Sequence, residues 1–306
     1  MPRAGPSEAA ADSHAARARS AGVILIPEQL AAACHGVPER MAWLGQLPKA
    51  IEELQGRWGL ALGQPFGADA SCSWVAPAVS QDGTRVVLKL GMPHMEAEHE
   101  IEGLRFWDGN PTVCLLKADS DVHALLLERC EPGTSLRDAP DDEADVVLAD
   151  LFRRMWRRPP AGHRFRPLSM MLAAWAEETR AGRGRWIDPA LVQAGLRVFE
   201  ELSAPSSDDV VLATDLHAGN VLRAQRAPWL VIDPKPFVGD RAYDATQHLF
   251  NCQARMSASP RATIRRFADL LAVDSERVRL WMFARSAAEP REGWTEDSIA
   301  LARALA

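Results

Sequence analysis

The sequence predicts an α+β chain built as two lobes, a small β-rich one followed by a larger, mainly helical one. Three observations lead there. The chain has 306 residues, long for one domain and natural for two at about 100–200 residues each. Residues 74–127 read as hairpin, helix, hairpin. Beyond Glu131-Pro132-Gly133 the apolar patterns turn helical, with two short strands among them.

Taken in order, residues 1–22 are Ala-rich and hold no large apolar side chain except Met1. A disordered tail is expected there. Residues 24–58 are helical in pattern. Pro27, Pro38 and Pro48 each stand where a helix can begin, and Ile51, Leu54 and Trp58 fall on one stripe. Strands at 74–79 and 85–90 flank Asp82-Gly83. That pair marks a hairpin, because Gly supplies the positive φ of a tight turn. A helix is expected over 96–107, with Ala97, Ile101 and Leu104 on one face, stopped by Asp108-Gly109-Asn110-Pro111. Strands at 113–116 and 123–127 flank Asp119-Ser120-Asp121. Later helices are expected at 141–157, 167–181, 189–203 and 242–256, then three more, with short strands at 210–212 and 229–232. The division is therefore a tail at 1–22, a β-rich lobe with its N-terminal extension at 23–128, and a helical lobe at 129–306.

Composition narrows the function classes. Hydrophobic residues make up 47% and charged residues 25%, as in an ordinary globular protein. Apolar runs such as Val23-Ile24-Leu25-Ile26 fall far short of the roughly 20 residues that span a bilayer. Asp plus Glu number 41 against 35 Lys plus Arg, a net charge of −6, which disfavours a nucleic-acid partner. The five cysteines, at 34, 72, 114, 130 and 252, form no CxxC pair and read as free thiols of a reducing compartment. With no apolar signal region at the N-terminus, a cytoplasmic location is expected. Ten Trp stand against a single Tyr, Tyr243. Trp74, Trp107 and Trp229 read as packing around the elements that carry the chemistry.

The densest polar cluster is Thr214-Asp215-Leu216-His217-Ala218-Gly219-Asn220. Alone it reads equally well as a turn. Asp233, thirteen residues past Asn220 at the end of an apolar strand, changes that. Asp215, Asn220 and Asp233 can converge on one point. Carboxylate and amide oxygens suit Mg²⁺, and a further carboxylate can take a hydroxyl proton, as phosphoryl transfer requires. The five-residue Asp-to-Asn spacing with a later Asp is that of the protein-kinase catalytic set. The strand Lys of that set has its counterpart in Val86-Val87-Leu88-Lys89, with Glu96, Glu98, Glu100 and Glu102 as candidate partners. A protein kinase is excluded. Ala70-Ser71-Cys72-Ser73-Trp74 replaces the Gly-rich loop, and D-F-G, A-P-E and H-R-D are absent.

Asp215-Leu216-His217-Ala218-Gly219-Asn220, Trp229 to Lys235, Val238-Gly239-Asp240 and Ala242-Tyr243-Asp244 carry a wider likeness. So do residues 74–90 and 100–109, and Leu125 to Arg129 with Pro132-Gly133. The sequence resembles the aminoglycoside phosphotransferase superfamily, with its bilobal protein-kinase-like fold, in the streptomycin 6-kinase and hydroxyurea phosphotransferase branch. The resemblance covers roughly residues 40–255. It implies Asp215 as catalytic base and Asn220 and Asp233 as Mg²⁺ ligands. Lys89 would hold the α/β-phosphates of ATP, paired with Glu100 ahead of Glu98. The backbone from Glu128 to Cys130 would meet adenine, and His217 would support the loop. The implied activity is transfer of the γ-phosphate to a hydroxyl of a small molecule, streptomycin-like or hydroxyurea. A metabolite kinase on the same fold and a non-catalytic ATP-binding relative are the alternatives. The second is raised by Ala213-Thr214, which stand where the family has His-Gly.

The helical lobe is expected to supply the acceptor pocket. A polycationic acceptor would gather carboxylates. Asp141-Asp142-Glu143 with Asp145, Glu177-Glu178, Glu200-Glu201 and Asp208-Asp209 are available. Each also reads as a solvated helix end or face, and the 141–143 run suits a helix N-terminus. Met170, Met171 and Trp175 are expected in the core.

Overall fold

The computed structural model describes residues 24–67, 72–289 and 293–306. The 1–22 tail and Ala70-Ser71 of the expected phosphate loop lie outside the described residues. Helices α1 (Glu28–Cys34) and α2 (Pro38–Trp58) come first. Pro38 opens α2 as expected, but Pro48 lies inside it. A mid-helix proline costs a hydrogen bond. Here Leu47, Ile51 and Leu54 bury on one stripe across it, and that packing carries the helix through.

Among the described residues, β1 (Leu60–Leu62), β2 (Ser73–Ser80), β3 (Arg85–Gly91), β4 (Leu115–Asp119) and β5 (Ala124–Glu128) form one antiparallel sheet in the order β1-β2-β3-β5-β4. Gly83 takes φ 85° in the β2–β3 turn, the conformation that the Asp-Gly pair requires. The two faces of β3 alternate. Val86, Leu88 and Leu90 pack with Leu47, Ile51 and Leu54 of α2. Val87 packs on the other face with Ile101 and Leu104 of α3 (Glu100–Trp107). Lys89, two residues from Val87, therefore turns toward α3. The helix expected from 96 begins at Glu100, after a 3₁₀ turn at Met95–Ala97. Trp107 is buried, and its Nε1 donates to the carbonyl of Met155 at 2.9 Å, tying α3 to the helical lobe.

That lobe holds α4 (Asp141–Met155), α5 (Leu168–Ala181) and α6 (Pro189–Leu202). Four three-residue strands follow: β6 (Val210–Leu212), β7 (Val221–Arg223), β8 (Trp229–Val231) and β9 (Phe237–Gly239). Then come α7 (Arg241–Phe250), α8 (Gln253–Ala258), α9 (Pro260–Leu271), α10 (Ser275–Ala288) and α11 (Glu296–Leu305). The helix expected at 242–256 is broken between Phe250 and Gln253. Strand β6 pairs with β9, and β7 pairs with β8 inside it, so residues 210–239 make two nested hairpins. Around them lies the larger core, with Phe152, Phe199, Tyr243, Phe267 and Trp281 buried. Trp281 donates to Asp240 Oδ2 at 2.7 Å, and Asp240 caps α7 through the N–H of Ala242. No helix among the described residues is long and apolar enough to cross a membrane.

Candidate active site

The outer hairpin presents a loop from Ala213 to Asn220, and the inner one returns at Asp233. Thr214 and Asp233 take φ of 47° and 54°, a region uncommon for side-chain-bearing residues and concentrated at functional sites. Asp244 on α7 holds the first of them. Its Oδ1 accepts from the N–H of Thr214 at 2.6 Å, and its Oδ2 from the N–H of Ala213 at 3.0 Å and from Trp156 Nε1 at 2.9 Å. Burial pushes the Asp244 carboxyl up to about 6, while these three donors pull it down. It remains ionised at neutral pH. Thr214 Oγ1 donates to the carbonyl of Lys235 at 2.7 Å, and the Lys235 N–H donates to the carbonyl of Ala213 at 2.8 Å. The loop is thus pinned from α7 and from the returning strand.

Asp215 is fixed through both backbone and side chain. Its carbonyl accepts from Asn220 Nδ2 at 2.9 Å, and its Oδ1 accepts from Gln247 Nε2 at 2.9 Å. Burial lowers His217 to about 4, helped by Arg137 and His248. The ring is neutral, and its Nδ1 accepts the N–H of Gly219 at 3.0 Å.

Charge runs through the site as an alternating chain. Lys89 Nζ donates to Glu100 Oε1 and Oε2 at 2.6 and 2.7 Å, and to Asp233 Oδ1 at 2.5 Å. Lys235 pairs with the same Oδ1. Burial opposes the charge on Asp233, but Lys235 and Lys89 outweigh it and hold the carboxyl far below its usual range. Burial likewise opposes the charge on Lys235, and Asp233 and Glu100 raise it above the ordinary lysine range. Buried ions of this kind persist only when each meets a partner.

Two cavities meet at this chain. A cleft of about 510 Å³ is lined by Lys89, Glu128, Cys130, Asn220 and Asp233, with Val75, Leu127 and Ile232 as apolar walls. A second cavity of about 320 Å³ is lined by Asp215, Lys235, Gln247 and Arg285. Trp175, Tyr243 and Met171 wall it on the helical side, and Arg40, Met92, His94 and Glu96 on the other.

The sequence profile of the aminoglycoside/hydroxyurea antibiotic resistance kinases matches residues 57–294. The chain belongs to this family. A streptomycin 6-kinase from Streptomyces glaucescens is 37% identical over 278 residues, covering 86% of this chain and 89% of that one. A hydroxyurea phosphotransferase from Kitasatospora aureofaciens is 33% identical over 246 residues, covering 78% and 71%. A choline kinase from Streptococcus pneumoniae shares the fold, with a TM-score of 0.60 at 12% identity over 85% of this chain and 97% of that one. The fold is the α+β, bilobal, protein-kinase-like one, and the chain is a small-molecule phosphotransferase.

In this kinase, Lys89, Asn220 and Asp233 line the same cleft as Glu128 and Cys130. Glu100 meets Lys89, whereas Glu98 accepts from Arg166 Nη1 at 2.6 Å. The Glu128 side chain turns to Arg226, whose Nη2 and Nε donate to it at 2.8 and 2.9 Å, and its N–H donates to the carbonyl of Cys114 at 2.9 Å. Burial pushes the Cys130 thiol up to about 11, so it stays neutral. Asp215 lines the other cavity.

Met171 and Trp175 are buried as expected but also wall the second cavity, while Met170 is exposed. None of the acidic runs at 141–145, 177–178, 200–201 or 208–209 lines that cavity. Several are held by nearby arginines instead: Asp145 by Arg255, Asp142 by Arg266, Glu200 by Arg180 and Asp208 by Arg158. Nor does the helical lobe wall the cavity alone, since Arg40 comes from α2. The residues not anticipated are Lys235, Asp244, Gln247 and Arg285. Lys235 and Asp244 stood inside runs that carried the resemblance. Nothing in the sequence pointed to Gln247 or Arg285.

Proposed function

We propose that this kinase transfers the γ-phosphoryl group of ATP to a hydroxyl of a streptomycin- or hydroxyurea-type small molecule. One observation carries the reading. Asp215 and Asp233 line separate cavities and are joined through Lys235, which lines the cavity of Asp215 and pairs with Asp233. A base on one side and a phosphate-facing carboxylate on the other is the division that phosphoryl transfer needs.

In the proposed reaction Asp215 takes the proton of the acceptor hydroxyl as its oxygen bonds to the γ-phosphorus. The bond to the β–γ bridging oxygen breaks, and ADP leaves. Catalysis is positioning and charge neutralisation. Lys89, steadied by Glu100, meets the α- and β-phosphates, and the backbone from Glu128 to Cys130 meets adenine. Asn220 and Asp233 fit Mg²⁺. The amide nitrogen of Asn220 is committed to the Asp215 carbonyl, so its oxygen is the end left to offer, beside a carboxylate. The ion would neutralise phosphate charge. The same reading takes 23–128 as the nucleotide-binding lobe and 129–306 as the catalytic lobe, in a cytoplasmic enzyme.

On the acceptor side Arg40, Lys235 and Arg285 line the cavity with Glu96 and Asp215, and Lys235 and Arg285 are each paired with a further carboxylate, Asp233 and Glu289. Acceptor-dependent ADP release with streptomycin, hydroxyurea and a panel of metabolite alcohols tests the function. Release with streptomycin or hydroxyurea above the metabolite alcohols is expected. Release with no hydroxyl acceptor would overturn it.

A further inference from the structure

We propose that Gln247 positions the carboxylate of Asp215 and that Arg285 sets which end of the Gln247 amide faces it. The proposal rests on the reading of Asp215 as the base.

Gln247 stands between the two charges. Its Nε2 donates to Asp215 Oδ1 at 2.9 Å, and Arg285 Nη2 donates to its Oε1 at 3.1 Å. The two ends of an amide are nearly alike in shape and opposite in hydrogen-bonding sense. A guanidinium only donates, and an ionised carboxylate only accepts. One orientation satisfies both neighbours. The flipped amide would set NH₂ against the guanidinium and oxygen against the carboxylate. Arg285 therefore decides that Asp215 meets a donor.

Arg285 can serve as a fixed reference because it is itself immobilised. It is 5% exposed. Its Nη1 donates to Thr246 Oγ1 at 2.7 Å, and its Nε to Glu289 Oε2 at 2.7 Å. The guanidinium also lies 5.2 Å from the ring of Tyr243 and 4.8 Å from that of Phe250, within cation–π range. Gln247 follows Asp244 by three residues on α7, so both face the catalytic loop from one helix. Asp244 holds the loop backbone, and Gln247 holds the rotation of the Asp215 carboxylate.

The test is a two-by-two cycle on the full chain: Gln247→Met, Asp215→Asn and the double variant. Methionine keeps the length and packing but offers no donor. ADP release is followed with streptomycin, with hydroxyurea and with water alone as acceptor. Loss of this donor to the Asp215 carboxylate should lower kcat about tenfold to a hundredfold, with KM for ATP unmoved. In the Asp215→Asn background the same change should have no further effect, because its route through the base is gone. Arg285→Lys, which keeps the charge and loses the fork, should lower kcat in the same direction by a smaller factor. Undiminished kcat in Gln247→Met, or an equal fall in both backgrounds, would overturn the proposal. Normal turnover by Asp215→Asn alone would instead overturn the reading of Asp215 as the base.

Discussion

The cleft under the five-stranded sheet and the cavity beside Asp215 share a boundary but balance their charge in different ways. In the cleft, Lys89 is held between Glu100 and Asp233, and Asp233 between Lys89 and Lys235. The four groups are neutral together and come from β3, α3 and the turn after β8. In the cavity, Arg40, Glu96, Asp215, Gln247 and Arg285 come from five separate segments, and Gln247 bridges Asp215 and Arg285. Under the proposed function, the chemistry common to small-molecule kinases rests on a compact, self-neutralised chain. The part proposed to meet the acceptor is assembled from distant pieces, and shared fold and motifs name a reaction more readily than a substrate.

Asp233→Ala should give the largest loss confined to the cleft. It removes the carboxylate shared by Lys89 and Lys235 along with a proposed Mg²⁺ ligand, so calorimetric titration should find no Mg²⁺-dependent ATP binding. Retained binding would break the division of labour between the two cavities. Asp244→Ala should damage both sides at once. Two buried backbone N–H donors lose their acceptor, at about 1–3 kcal/mol each, as does the half-buried Trp156 Nε1. The thermal midpoint and the turnover should fall together.

Glu96→Gln and Arg40→Ala should move KM for the acceptor and leave KM for ATP alone. The paired change Glu177→Gln with Glu178→Gln should move neither, since that run lies outside the cavity. A shift in acceptor KM from the 177–178 pair would return the acidic helices to the acceptor site.

The smallest effect is expected from pH, at a charge cluster that lines neither cavity. Burial opposes the charge of Asp145, but His248 and Arg255 pull its carboxyl down to about 2. A depressed carboxylate stabilises the fold above its unfolded pKa, near 4, and loses that contribution as pH falls through the folded value. Between pH 4 and 2, Asp145→Asn should therefore lose less stability than the parent. Asp244 runs the other way. Its pKa is raised to about 6, so its contribution declines as pH rises from about 4 through 6.

Much of the cleft was legible because its groups keep fixed distances along the chain. Lys89 lies in a patterned strand after an Asp-Gly turn, and Asp215, Asn220 and Asp233 bracket the inner hairpin. Glu98 and Glu100 could not be separated by pattern. The 3₁₀ turn that delays α3 to Glu100 aims one at Lys89 and leaves the other to Arg166. Strands β1, β7 and β9 are three residues each, too short for an alternation to register; β6 and β8 are as short and were legible only as apolar runs. The work of Asp244 was hidden for another reason. It accepts backbone N–H groups thirty residues upstream, and backbone donors leave no mark on composition. That contact also bears on Ala213-Thr214, because Asp244 holds both residues by their main-chain N–H groups, and the Thr214 hydroxyl adds a bond to the Lys235 carbonyl. Gln247 and Arg285 meet Asp215 only through the packing of α7 and α10.

The most direct measurement is made on Asp215→Ala, with ADP release and ATP affinity read from the same preparation. The expected result is a fall in acceptor-dependent release of about 10²–10⁴-fold, the range of a lost general base, with Mg²⁺-dependent ATP binding intact. Normal turnover, or nucleotide binding lost in step with turnover, would contradict the separation of a base in one cavity from a nucleotide site in the other.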